Sequence, residues 1–343
     1  MSGSHRGKPR GWLRLLSLLA VTGLGLATAP AHASPLTPPA PQDASTAIGQ
    51  VGPQIVDIDA KLGYQSAIGA GTGIVIDSNG VVLTNNHVVA GATNLTARSI
   101  GNGQTFSATV IGYDRKHDIA VVQLAGGGLP AANIGNSDTV TVGEPIVSLG
   151  NAGGVGGAPS AVEGRVVGLN QTVSASDALT GSTETLNGLI QVDAAIRPGD
   201  SGGPTVNSAN QVIGMNTAAS ENFHLGRGQG FAIPINEAMA IAGQIRSGAS
   251  SPTVHIGPTA FLGVGVNDAA GGAGAIVRQV IPTGPAAGAG INSGDVITSI
   301  NGQPVNSATT LTNILDQHHP GDNVTVGLQD RSGNVTLTDG PPG

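Results

Sequence analysis

From Ile55 onward the chain alternates short apolar runs with turn residues. Gly73-Ile74-Val75-Ile76, Gly80-Val81-Val82-Leu83-Thr84, Asp118-Ile119-Ala120-Val121-Val122-Gln123-Leu124 and Glu144-Pro145-Ile146-Val147-Ser148-Leu149 are each of strand length. β-Branched residues suit a pleated, half-buried surface, and Gly, Asn and Asp close the turns between them. The pattern predicts a mostly β barrel or sandwich over residues 51–246. One stretch changes period: in Asn236–Arg246 the apolar positions 238, 241, 242 and 245 fall on one helical face. Asn236 is the predicted N-cap of that helix.

A Ser/Gly/Pro-rich linker follows over 247–257, and then a second unit over 258–339. Its strand-like runs are Ala275-Ile276-Val277, Asp295–Ile300 and Val324-Thr325-Val326, with a tight-turn signal at Asn301-Gly302. Ala308–Leu315 is its one helical pattern. No fixed-period repeat marks a solenoid.

The N-terminal 33 residues have the layout of a cleaved secretory signal. Arg6, Lys8, Arg10 and Arg14 form a basic start, Leu15–Leu26 an apolar stretch, and Ala31-His32-Ala33 a small-residue cleavage site. The apolar stretch is shorter than the ~18 residues of a membrane span. Residues 34–50, rich in Pro, Ala and Ser, are predicted to be a flexible arm. The expected location is therefore extracytoplasmic, secreted or in the cell envelope.

Composition narrows the class further. Charged residues make up 10% of the 343 and aromatics 2%, so the core must be aliphatic. Removing the leader takes four of the 14 basic residues and none of the 21 acidic ones, leaving a net charge of −11. No basic cluster survives, which argues against nucleic acid or an anionic membrane as partner. There is no cysteine, hence no disulfide and no thiolate chemistry. No clustered His/Asp spacing suggests a metal, and no organic cofactor is indicated.

The chemistry centres on Gly199-Asp200-Ser201-Gly202-Gly203-Pro204. Glycines let a backbone approach closely and adopt φ/ψ values closed to other residues, so Ser201 is a candidate nucleophile on a tight loop. The Gly199 and Ser201 amides could then face an oxyanion. A serine needs a base, and the base an orienting acid. His87 lies just past a Val/Leu-rich strand in Thr84-Asn85-Asn86-His87-Val88-Val89, and Asp118 opens another apolar strand. Asp114 and Asp77 compete with Asp118 for the role of acid. The Gly-x-Ser-x-Gly spacing also fits the nucleophile elbow of α/β-hydrolases, but there a helix follows the serine and the histidine comes later in the chain. Here Thr205-Val206-Asn207 is a poor helix start, and His87 and Asp118 precede Ser201. That order removes the α/β-hydrolase alternative.

With these blocks in place, the sequence resembles the HtrA/Deg family of trypsin-like secreted serine proteases with a C-terminal PDZ domain, the mycobacterial secreted members in particular. Thr84–Val88, Asp118–Val121 and Gly199–Pro204 match the three catalytic blocks of that family, and the likeness covers nearly all of the mature chain. It implies a double six-stranded β-barrel followed by a small α+β PDZ domain. His87 would be general base, Asp118 its orienter, Ser201 the nucleophile, and the Gly199 and Ser201 amides the oxyanion hole. It places the specificity pocket at Ala195 and Ile196, with a wall at Asn216-Thr217-Ala218 and Phe231 behind it. In the PDZ unit it implies a carboxylate-binding loop at Phe261-Leu262-Gly263-Val264 and a side-chain pocket using Leu311 and Leu315.

The function so implied is an endopeptidase for unfolded or misfolded proteins, with the PDZ unit taking peptide C-termini. A chaperone-like, peptide-binding protein with little proteolysis is the other class the residues leave open. Lys61–Gly69 is short for a gating loop of a cage, which favours a homotrimer or small assembly. Thr172–Asn187 and Ala219–Gln229 are candidate activation loops. One residue departs from the pattern: many family members have Asn where this chain has Asp200. In pancreatic-type relatives that Asp pairs with a new N-terminus. Here the expected terminus, Ser34-Pro35, lacks the apolar start such an insertion requires, so Asp200 is not expected to be a zymogen switch.

Overall fold

A computed structural model describes residues 43–176, 183–217 and 229–342. The expected signal segment, residues 1–33, lies outside them, as does the first part of the expected arm. The apolar runs form two barrels. The first uses β1 (Ile55–Leu62), β2 (Ala67–Asp77), β3 (Val81–Thr84), β4 (Asn94–Ser99), β5 (Thr105–Asp114) and β6 (Ile119–Leu124). These pair in the order β5-β4-β1-β2-β3-β6, and a β5–β6 ladder closes the ring. The second is a closed barrel of β7 (Pro145–Gly150), β8 (Ser160–Ser176), β9 (Thr183–Val192), β10 (Pro204–Val206), β11 (Val212–Thr217) and β12 (Gly230–Pro234). The fold is thus the expected mostly β, double six-stranded barrel.

One aliphatic core spans both barrels. Ile55, Ile74, Leu83 and Val121 from the first pack in the same cluster as Leu149, Val206 and Met215 from the second. With so few aromatics, branched aliphatics from both barrels supply the buried volume. Phe231 joins this cluster, so it is a core residue and not a lining of the pocket.

Three local expectations are corrected. Residues 44–51 of the expected arm form a helix, α1 (Ala44–Val51), capped by the Asp43 carboxylate on the Ser45 and Thr46 amides. Ala47 and Val51, one turn apart on one face, are fully buried in the shared core. The Pro-rich run before Asp43 hides this short amphipathic period. A four-residue helix, α2 (Asn86–Val89), carries His87. The predicted helix is α3 (Ile235–Arg246); it starts one residue early, at Ile235, and its N-cap is Pro234, with no side-chain cap. Asn236 sits inside the first turn and instead bonds Ser137 N (3.3 Å) and Asn136 Oδ1 (2.7 Å). Its side chain thereby ties the helix to a neighbouring turn. The linker is also partly ordered: β13 (Val254–Ile256) extends the first barrel's sheet along β5.

The C-terminal unit comprises β14 (Thr259–Phe261), β15 (Val264–Asp268), β16 (Ala275–Val280), α4 (Pro285–Gly288), β17 (Val296–Ile300), β18 (Gln303–Pro304), α5 (Ala308–Leu315), β19 (Asn323–Leu328), β20 (Ser332–Thr336) and β21 (Thr338–Gly340). Its main sheet runs β15-β16-β17-β19-β20, which leaves β15 at an edge. Its own aliphatic core includes Leu262, Val277, Ile297, Leu311 and Val326. Helix α5 has a side-chain cap at its start, with Ser307 Oγ accepting from Thr310 N, and the Asp268 carboxylate accepts from Ala308 N.

The α1 anchor makes a testable claim. Truncating its buried valine, Val51→Ala, removes two methyl groups from the shared core and should lower unfolding free energy by about 2 kcal/mol. Urea denaturation checks this; no change would mean that α1 does not contribute to the core.

Candidate active site

Strand β3 ends at Thr84, and the chain turns through Asn85 into α2, which presents the His87 ring. That ring is 40% exposed, whereas the Asp118 carboxylate is 3% exposed. His87 Nδ1 lies 3.0 and 2.9 Å from the two Asp118 oxygens, and the His87 backbone N–H donates to Oδ1 at 3.0 Å. A carboxylate accepts, so Nδ1 carries the proton and a neutral ring keeps its lone pair on Nε2.

Asp118 is held from several directions. It adopts φ +56°, a left-handed conformation that Asp tolerates better than most residues. Its N–H bonds Arg115 O and its carbonyl accepts from Asn85 Nδ2 (3.0 Å). The turn before it is built by Asp114, whose carboxylate takes the His117 N–H and the Thr253 hydroxyl and contacts His117 Nδ1 at 2.7 Å. Asp114 is thus occupied in positioning its rival. Asp77 is likewise engaged, with Arg246 (2.7 Å) and Asn79 N. The last support crosses between barrels: Thr217 Oγ1 donates to Asp118 Oδ2 at 3.2 Å.

The serine loop lies between β9 and β10. Its glycines are required sterically. Gly199 has φ +95°, and a Cβ there would sit 2.1 Å from Asn151 O. Gly202 has φ +83°, and its Cβ would sit 2.0 Å from Thr72 O. Thr72 laces this loop to the first barrel: its N–H donates to Ser201 O (2.8 Å) and its hydroxyl to Gly199 O (2.8 Å). Thr84, just before the His87 turn, donates in turn to Thr72 O (2.7 Å). The Pro198 carbonyl accepts from Gly153 N at 2.8 Å. Across a trans peptide the N–H points the opposite way, so the Gly199 amide is directed away from the Gly153 loop.

Asp200 is buried, and both of its oxygens are used: Ser160 Oγ lies 2.6 Å from Oδ1, and Arg197 N donates to Oδ2 at 3.0 Å. Ser160 Oγ also faces the Gly150 carbonyl at 2.9 Å, yet a hydroxyl has one proton. A protonated Asp200 satisfies the whole chain, donating to Ser160 while Ser160 donates to Gly150. Burial correspondingly pushes the Asp200 carboxyl above its ordinary value. An Asn here could make the same donation through its amide. Asp57, on β1 beneath the Gly156–Gly157 turn, is a second such group: burial pushes it up to about 6, with Arg98 opposing.

Around the expected pocket, Ala195 is exposed and Ile196 half-buried, its side chain packed over Gly230. Asn216 and Thr217 do not offer their side chains as a wall. Asn216 is fully buried, donating to Leu149 O and accepting from Thr205, and Thr217 supports Asp118. Ala218 and residues 219–228 lie outside the described residues. Most of Thr172–Asn187, read from the sequence as a candidate activation loop, is paired as the β8–β9 hairpin, with Thr172 bonded to Asn187; residues 177–182 lie outside the described residues.

In the C-terminal unit, Gly263 has φ +81° and joins β14 to the edge strand β15, which begins at Val264. Leu262 and Leu311 are core residues, while Leu315 is half-buried beside them. The Phe261 ring stacks on Tyr64 of the first barrel, 5.2 Å between centroids. The supporting residues Thr72 and Ser160 carry no motif signal, because each works through a partner distant in sequence.

The two buried acids set a pH dependence. A folded-state pKa raised above the unfolded value favours the protonated form, so its stabilisation is present at low pH and lost as pH rises through the folded value. The urea midpoint should therefore rise between about pH 7 and about pH 5. Asp200→Asn should be at least as stable at neutral pH and show a shallower slope. A variant less stable than the native chain at neutral pH would contradict the protonated hydrogen-bond chain.

Residues 71–215 match the family described as "Trypsin-like peptidase domain", and residues 260–338 the family described as "PDZ domain". The serine protease PepD of Mycobacterium tuberculosis is 35% identical over 322 residues, covering 88% of this chain and 67% of PepD. The periplasmic serine endoprotease DegP of Escherichia coli is 35% identical, over 77% of this chain and 55% of DegP. The chain thus spans between about half and two thirds of these relatives. Among solved structures, "HtrA-type protease AlgW with tripeptide" superposes with a TM-score of 0.52 at 29% identity, covering 88% of this chain and 98% of that one. Two barrels, a PDZ unit and these likenesses lead to one conclusion: the chain belongs to the HtrA-type family of trypsin-like serine proteases.

Proposed function

We propose that the protein is a serine endopeptidase of unfolded or misfolded extracytoplasmic proteins, working through Ser201, His87 and Asp118. The observation that carries the reading is the His87 ring, fixed through Nδ1 by a buried carboxylate so that Nε2 is left as the base. In this mechanism the Ser201 Oγ–H bond gives its proton to His87 Nε2 while Oγ bonds the substrate carbonyl carbon. The carbonyl electron pair moves to oxygen, where the Gly199 and Ser201 amides receive it; one such donor contributes about 3–4 kcal/mol of barrier lowering. The C–N bond then breaks, His87 returns the proton to the leaving amine, and an acyl-Ser201 remains. Water repeats the sequence, giving its proton to His87 and releasing the acid.

No acid stands at the expected pocket floor, which is Ala195 with Ile196 beside it. Burying a Lys or Arg side chain against Ala195 and Ile196 leaves its charge unpaired, so small aliphatic residues such as Val, Ala or Ile suit the cleaved position. In the PDZ unit the edge strand β15 and the Gly263 turn are suited to take a peptide C-terminus as an added strand, with α5 alongside. The short β1–β2 connection favours a homotrimer or small assembly over a cage. Export is supported by the N-terminal leader pattern and by the name of DegP as a periplasmic enzyme.

Ser201→Ala should abolish cleavage of casein and labelling by a serine-directed organophosphate, a drop on the order of 10⁵–10⁶ in kcat. His87→Ala should fall comparably, because the residues act as a unit. Unchanged labelling in Ser201→Ala would refute the reading and leave the chaperone-like alternative. In a peptide library, cleavage after Val, Ala or Ile should exceed cleavage after aromatic or basic residues; an aromatic preference over Val would contradict the pocket described.

A further inference from the structure

His255 occupies an unusual environment. It lies on β13, directly across from Tyr113 of β5, and is only 4% exposed. Its ring stacks on Tyr113 on one side (centroids 5.1 Å apart) and on His319 of the C-terminal unit on the other (5.3 Å). Nδ1 lies 2.8 Å from Asp316 O, at the end of α5. Nε2 lies 3.1 Å from Pro258 O, where the chain enters the C-terminal unit. Both partners are backbone carbonyls, which only accept. A neutral imidazole has one N–H and can serve one of them, leaving a nitrogen lone pair against the other carbonyl oxygen. An imidazolium serves both, and burial leaves little room for water to substitute.

We propose that His255 is a proton-operated clamp: its protonated ring ties β13, the Pro258 turn and the end of α5 together, holding the C-terminal unit on the first barrel, and deprotonation loosens that hold. The surroundings fit this assignment. From β5 and the turn after it come Tyr113, Asp114 and Arg115; from the end of α5 and beyond come Asp316, His318, His319 and Asp322. The Asp316 carboxylate, on the residue whose carbonyl faces Nδ1, bonds Arg115 (2.9 Å) and the Tyr113 hydroxyl (2.8 Å). Burial, aided by Asp316, pushes the Tyr113 phenol up, so it remains a donor. Asp114 is engaged with His117 and Thr253, and Asp322 with His318 and the His319 N–H. Arg115 and a protonated His319 oppose a charge on His255, and the Asp316 carboxylate favours it. The clamp does not depend on the Ser201 chemistry.

The test uses the full chain. Imidazole ¹⁵N shifts report which ring nitrogens carry protons, and amide hydrogen exchange reports the hold on residues 254–259 and 315–319. At about pH 6 both His255 nitrogens should be protonated. Exchange there, corrected for its intrinsic pH dependence, should be about tenfold or more slower than at about pH 8.5. His255→Gln, which can donate to one carbonyl but does not titrate, should exchange fast at both pH values. His319→Gln should keep the native difference. The proposal is overturned if His255 stays one neutral tautomer throughout, if the native difference persists in His255→Gln, or if it vanishes only in His319→Gln. Should His255→Gln fail to fold, the ring nitrogens of the unaltered chain decide the matter.

Discussion

The site depends on one carboxylate kept out of water at the seam of two barrels. Asp118 receives the His87 ring and backbone from its own barrel and the Thr217 hydroxyl from the other. In bulk water such contacts would be weak and exchangeable; removed from solvent they set a ring orientation and a tautomer. The cost is a left-handed Asp118 backbone, offset by the Asn85 bond to its carbonyl and by the turn Asp114 builds.

The rest of the architecture serves that seam. A shared aliphatic core holds the barrels in register, and the β2 residue Thr72 stitches the serine loop to the strand that leads to His87. The glycines of 199–203 lie where backbone from the neighbouring strands passes too close for any side chain, so the motif is a packing requirement before it is a chemical one. Asp200 shows the same economy. It is a buried acid whose two oxygens are bound inside the barrel by Ser160 and Arg197 N.

Strands such as Val81–Thr84 and Ile119–Leu124 were legible because a buried strand between turn residues has few other readings. The order of the proposed triad could be read because His87, Asp118 and Ser201 each sit in a local motif. What escaped had no local signature. The α1 face is two residues, Ala47 and Val51, behind a proline-rich run. β13 looks like linker because only its pairing with β5 makes it a strand. Asn216 and Thr217 read as pocket wall by position, but their side chains turn to Leu149, Thr205 and Asp118, partners that chain order does not reveal.

In the proposed mechanism Asp118 acts through the orientation of His87. The most direct test is the rate at which Ser201 is acylated by an organophosphorus fluoride in Asp118→Asn. An amide of the same shape keeps the packing but favours the wrong tautomer, so the rate should fall about 10⁴-fold with little change in thermal midpoint. A rate within a few-fold of the native protein would contradict the central role given to this carboxylate.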